Sequence, residues 1–115
     1  MANSKFDRFN DGIVRIYREK EKKTSFAAKQ NVSALEDLEF IVKLDFGEST
    51  KREKDLEFAM QNGFSLSLKI RTRYHAQVKN ECKAVIDNYL YDVSYVDKTR
   101  DKMWLYLEGV KTLDS

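Results

Sequence analysis

Proline is absent from the 115 residues, which excludes a rigid proline-rich linker between two bodies. A single cysteine, Cys82, rules out an internal disulfide and most cysteine-based metal sites. A single histidine, His75, leaves little for acid–base or metal chemistry. The four glycines (Gly12, Gly47, Gly63 and Gly109) are scattered, so there is no phosphate-cradling glycine loop. No run approaches the roughly 20 apolar residues of a membrane-spanning helix, and no repeat or low-complexity tract occurs. Met1 to Arg8 lacks an apolar segment, which predicts no export by a signal peptide. With a lone thiol, synthesis in a reducing cytoplasm is expected.

Against these absences stands a dense supply of charge. At 13.5 kDa the chain has room for one domain. Charged residues make up 35% of it, against about 25% in an average soluble domain. Leu, Ile, Val and Phe number 30 of the 115 residues, above the roughly 20% level below which disorder becomes the default. The chain therefore folds, with a heavily charged surface. Its 21 basic and 19 acidic residues leave a net charge of +2, an excess too small to predict a partner.

Residues 1–11 read as a flexible arm and residues 12–110 as one β-barrel-like domain. Gly12 to Arg18 is β-branched and aromatic, the composition of a strand. Glu19 to Asp37 shows little periodicity and reads as a long loop, a feature usually functional or mobile in a small domain. Leu38 to Phe46 alternates with period two, placing Leu38, Phe40, Val42, Leu44 and Phe46 inward, with Ile41 as the exception and Gly47 as the end. Ser49 to Asn62 changes to helical spacing. Thr50 and Glu53 have the spacing of a capping box, Leu56, Ala59 and Met60 form an apolar stripe, and Gly63 stands where a helix would stop. The charges from Lys51 to Asp55 read as a solvated face.

Alternation resumes at Ser65 to Tyr74, with Leu66, Leu68, Ile70 and Tyr74 inward and Lys69, Arg71 and Arg73 outward. Cys82 to Ile86 and Tyr89 to Val96 flank Asp87-Asn88, turn residues that tolerate positive φ, and so form a hairpin. Asp97 to Asp101 is a second polar turn, and Lys102 to Glu108 is the last strand. Five to six short strands with one inserted helix indicate a mainly β fold, a small barrel with the helix over one opening.

The outward stripe Lys69, Arg71 and Arg73 admits two readings. A basic face with nearby aromatics is how small barrels hold single-stranded nucleic acid. The alternative, favoured by the near balance of charge, is the polar solvent face that any barrel strand requires. Trp104 and Tyr106 are candidate interface side chains, since amphipathic rings serve either a core or a contact surface. The charge run Glu19, Lys20, Glu21, Lys22 and Lys23 is a further candidate contact segment. His75 and Cys82 lack an orienting third group, so no catalytic residue is assigned. Neither metal nor cofactor is assigned either.

The order of elements, with Arg71-Thr72-Arg73-Tyr74 closing one strand and Tyr91-Asp92-Val93-Ser94-Tyr95-Val96 in another, resembles the head–tail joining (head-closure) proteins of long-tailed double-stranded DNA phages. That family has an Arg-x-Arg-Tyr-like strand, then a hairpin leading into an aromatic-x-Ile/Val-x-x-Val strand. The likeness spans about residues 12 to 110. The long, charged helix segment and the arm before Gly12, without a basic start, depart from the pattern. The resemblance implies a structural virion protein made in the bacterial host cytoplasm and incorporated at the head–tail interface. It would be a monomer at low concentration and a homo-oligomeric ring on assembly, with portal, adaptor and tail proteins as partners. DNA would pass through the ring without sequence-specific binding, and neither a membrane nor a cofactor would be involved.

Overall fold

The computed structural model describes residues 9–20 and 38–113. Among them the elements run β1 (Gly12–Glu19), β2 (Leu38–Ser49), α1 (Glu53–Gln61), β3 (Leu68–Arg73), β4 (Lys83–Ile86), β5 (Tyr89–Lys98) and β6 (Lys102–Thr112). All neighbouring strands are antiparallel, and the order β1-β2-β3-β6-β5-β4 closes on itself where β4 pairs with β1. The fold is a closed six-stranded β-barrel with one short helix. Of the segment from Glu19 to Asp37, Glu19 ends β1 and residues 21–37 lie outside the described residues.

Period-two alternation fills the barrel. Val14 and Ile16 from β1, Ile70 and Thr72 from β3, and Met103, Leu105 and Leu107 from β6 are all fully buried. Ala84 and Ile86 of β4 and Val93 of β5 complete the same core. The inward residue near the end of β3 is Thr72, whose hydroxyl donates to the Arg73 carbonyl at 3.0 Å. Tyr74, expected inward, is exposed because β3 has ended one residue before it.

The irregular position in β2 has a cause. Ile16 pairs with Val42 and Tyr17 with Phe40, so Ile41 is an extra residue, a β-bulge. The bulge changes the phase of the strand. Val42, Leu44 and Phe46 pack on the barrel core, but Leu38 joins Tyr17, Val85, Leu90 and Leu113 in a second cluster. Phe40 is left exposed, edge-on to Tyr17. β2 also runs through Gly47 to Ser49, because Gly47 and Ser49 pair with Arg71 and Lys69 of β3.

Asp87 and Asn88 both have positive φ, 50° and 66°, and join β4 to β5 as a two-residue turn. Cys82 is buried just before β4 and not within it. Together with Val78 it extends the barrel core from the β3–β4 connection, which covers that end of the barrel. The helix does not cover an opening. Phe58 packs on Tyr95 and Tyr106, which point outward from β5 and β6, so α1 lies against the outer wall.

Helix phase departs from the expected stripe. Asp55 and Ala59 are buried, whereas Leu56 and Met60 are exposed. The start lies later than Thr50. Arg52 is the N-cap, and its backbone N–H donates to the Asp55 carboxylate at 3.0 Å. The C-terminus is a Schellman motif, with Phe64 N–H to Ala59 C=O at 3.0 Å and Gly63 N–H to Met60 C=O at 3.2 Å. Gly63 has φ +78°, and Phe64 packs back on Phe58. Gly63→Ala should therefore lower unfolding stability by about 1 kcal/mol. Leu105→Ala, at the centre of the barrel, should lower it by about 2–5 kcal/mol. Urea denaturation measures both, and an unchanged midpoint for Gly63→Ala would mean that the left-handed residue is dispensable.

Candidate interaction cleft

Antiparallel pairing of β3 with β6 sets Lys69 opposite Tyr106, Arg71 opposite Trp104 and Arg73 opposite Lys102. All six alternate with core residues and so face outward. The candidates Lys69, Arg71, Trp104 and Tyr106 thus meet in one open cleft of about 400 Å³, bordered by the end of β2 and the first turn of α1. Arg73 lies beyond the cleft, its guanidinium 5.2 Å from the Phe9 ring centroid.

The cleft is not a free basic surface. Lys69 Nζ is 3.0 Å from Asp55 Oδ2, and both side chains are nearly buried. The same ammonium sits 5.1 Å from the Tyr106 ring centroid. Tyr106 donates its hydroxyl to Asp55 Oδ1 at 3.2 Å. One carboxylate therefore accepts from a lysine, a phenol and a backbone N–H. Burial alone pushes the Asp55 carboxyl up, but the Arg52 N–H, Lys69 and Tyr106 together outweigh it and hold the group below the usual range. The Tyr106 phenol is pushed up to about 12, first by burial and then by the Asp55 charge.

Arg71 donates to the Glu48 carbonyl at 3.1 Å and to Ser49 Oγ at 3.3 Å. Trp104 is half-buried, with Lys102 Nζ 5.6 Å from its ring centroid. Glu48, Asp55 and Asp97 line the cleft with Arg52, Lys54, Lys69 and Arg71, so acidic groups nearly match basic ones.

The remaining candidates lie elsewhere. Glu19 is 3.5 Å from Lys83 Nζ, which also binds Asp92 at 2.6 Å. Burial presses the Lys83 ammonium down, but Asp92 and then Glu19 raise it above its ordinary value. Lys20 is exposed, and Glu21, Lys22 and Lys23 fall outside the described residues. The His75 Nδ1 accepts the Gln77 N–H at 3.2 Å, and the buried Cys82 sulfur accepts the Lys79 N–H at 3.5 Å. Among the described residues no group of three or more His, Cys, Asp or Glu side chains is arranged to hold a metal ion, and no helix is long and apolar enough to cross a membrane.

Asp55 is the cleft residue whose place the sequence pattern missed, since it read as part of a solvated run. The signal was Phe58, the largest apolar side chain of the helix, which lies outside the Leu56–Ala59–Met60 stripe. A helix phased on Phe58 brings Asp55 inward with it. Comparison with known proteins finds no matching family model and no matching curated protein.

Asp55→Asn should reduce stability by about 3 kcal/mol at pH 7, because it leaves Lys69 buried without its counter-charge. The folded carboxyl titrates below its unfolded value of about 3.9. Its contribution is therefore present above about pH 4 and lost as pH falls through the lower folded value. Chemical denaturation from pH 7 to pH 2 should show a shallower acid loss in Asp55→Asn than in the parent. An identical acid slope in the two proteins would contradict this assignment.

Proposed function

We propose that the chain is a structural subunit of the head–tail connector of a long-tailed phage, a head-closure protein that works by contact and carries out no catalytic step. It assembles as a ring between the portal–adaptor complex and the tail, extends the DNA channel and helps retain packaged DNA. The ring forms on assembly at the head–tail interface of the virion, from subunits made in the host cytoplasm.

The observation that carries this reading is the placement of exposed apolar side chains on opposite walls of a closed barrel. Ile13 and Phe40 are exposed on β1–β2, and Leu56 and Met60 on α1. A rotational ring uses heterologous contacts, so each subunit needs two unlike faces. The resemblance carried by Arg71 to Tyr74 and Tyr91 to Val96 supports the same reading. Purified portal–adaptor particles should carry the protein with them in sedimentation, and failure to co-sediment would overturn the reading.

A single-stranded nucleic-acid module using Lys69, Arg71 and Arg73 is the second reading. It is weakened by the engagement of Lys69 with Asp55 and of Arg71 with Glu48 and Ser49. Such a module would bind an oligonucleotide at low salt, with affinity falling steeply as salt rises and on Arg71→Ala with Arg73→Ala. The expected result is no change in fluorescence anisotropy.

A further inference from the structure

The exposed face of α1 is the one furthest from the barrel. At 100° per residue, Glu53, Leu56, Glu57 and Met60 fall within one arc of about 100°, opposite the buried Asp55 and Ala59. Met60 is 77% exposed and Leu56 45%. Glu53 and Glu57 are four residues apart and of like charge, an arrangement that destabilises an isolated helix slightly. Among the described residues neither has an ion-pair or side-chain hydrogen-bond partner.

The opposite wall carries the converse pattern. On the outer face of β1–β2, Arg15 pairs in register directly with Lys43, and both are exposed. Like charges directly opposite each other across two strands are unfavourable without a counter-charge. Among the described residues neither has an ion-pair or side-chain hydrogen-bond partner. Ile13 and Phe40, 43% and 53% exposed, lie on either side of this cationic pair, and the exposed Asp45 opposite Ile13 leaves the face with an excess of one positive charge.

The two patches sit on different sides of the barrel. Helix α1 is held by Lys69 of β3, Tyr106 of β6 and Tyr95 of β5, so it is centred on β6. In the closed order β1-β2-β3-β6-β5-β4, β1 is three strands from β6 in either direction. An acidic–apolar helix face and a basic–apolar sheet face on opposite walls cannot meet within one molecule. They can meet between two.

We propose that the α1 face of one copy docks on the β1–β2 face of the next, with Leu56 and Met60 against Ile13 and Phe40, and Glu53 and Glu57 against Arg15 and Lys43. This pairing deepens the ring-subunit reading and rests on it. The contact is heterologous: each copy uses a different face toward each neighbour, and the partner is a second copy of this chain.

The test is charge reversal, read by sedimentation equilibrium up to about 1 mM. The parent protein should rise above its 13.5 kDa monomer mass as concentration increases, and less so at high salt. Glu53→Lys with Glu57→Lys should weaken association at least about tenfold, as should Arg15→Glu with Lys43→Glu. Both the quadruple variant and an equimolar mixture of the two double variants should recover it, since each restores opposite charges across the contact. The four residues are exposed, and circular dichroism verifies that every variant is folded. A parent that stays monomeric throughout, or double variants that associate as well as the parent, would overturn the pairing. A monomeric parent that still co-sediments with portal–adaptor particles removes the pairing and leaves the connector reading standing. Association as expected without co-sedimentation does the reverse.

Discussion

The Asp55 carboxylate is the point on which the outer wall is organised. It receives the Arg52 N–H at the helix start, the Lys69 ammonium from β3 and the Tyr106 hydroxyl from β6. Helix start, helix phase and helix position are thereby set by one side chain. A buried ion pair contributes little net stability unless its remaining hydrogen-bonding capacity is satisfied, and here both oxygens are engaged. The Phe58 ring against Tyr95 and Tyr106 adds the apolar part of the same attachment. Once α1 is fixed this way, Leu56 and Met60 have no place in the core and must face away.

The same carboxylate decides the character of the cleft. Lys69 would otherwise project from β3 as the first of three cations in a row. Held by Asp55 and covered by Tyr106, it is a structural charge, while Arg71 braces the end of β2 through Glu48 and Ser49. The near balance of 21 basic and 19 acidic residues is thus repeated locally in the cleft lining. Surfaces of mixed charge suit protein partners, for which complementary pairs provide register and selectivity.

Much of the barrel was legible because strand alternation and turn chemistry are local. Ile70, Leu105 and Leu107 fall on the inner face by period two alone, and Asp87-Asn88 marks its turn by the tolerance of both residues for positive φ. What escaped depends on partners distant in the chain. The bulge at Ile41 arises from how β1 pairs with β2, and it moves Phe40 to the outside. The burial of Asp55 depends on Lys69 and Tyr106, 14 and 51 positions away. Of the candidate contact residues, four converge because β3 and β6 are in register, a fact that no local spacing encodes.

The seam that closes the barrel is its shortest. β4 meets β1 through only three residue pairs, Arg15 with Val85, Ile16 with Ala84 and Tyr17 with Lys83, joining positions about 70 residues apart. The β4–β5–β6 meander, by contrast, is held by tight turns and pairs close in sequence. Loop-closure entropy rises with separation, so pairing β4 with β1 costs more chain entropy than forming the meander. The seam also has the fewest paired positions to break, which makes this staved cylinder a six-stranded sheet with a latch between β1 and β4.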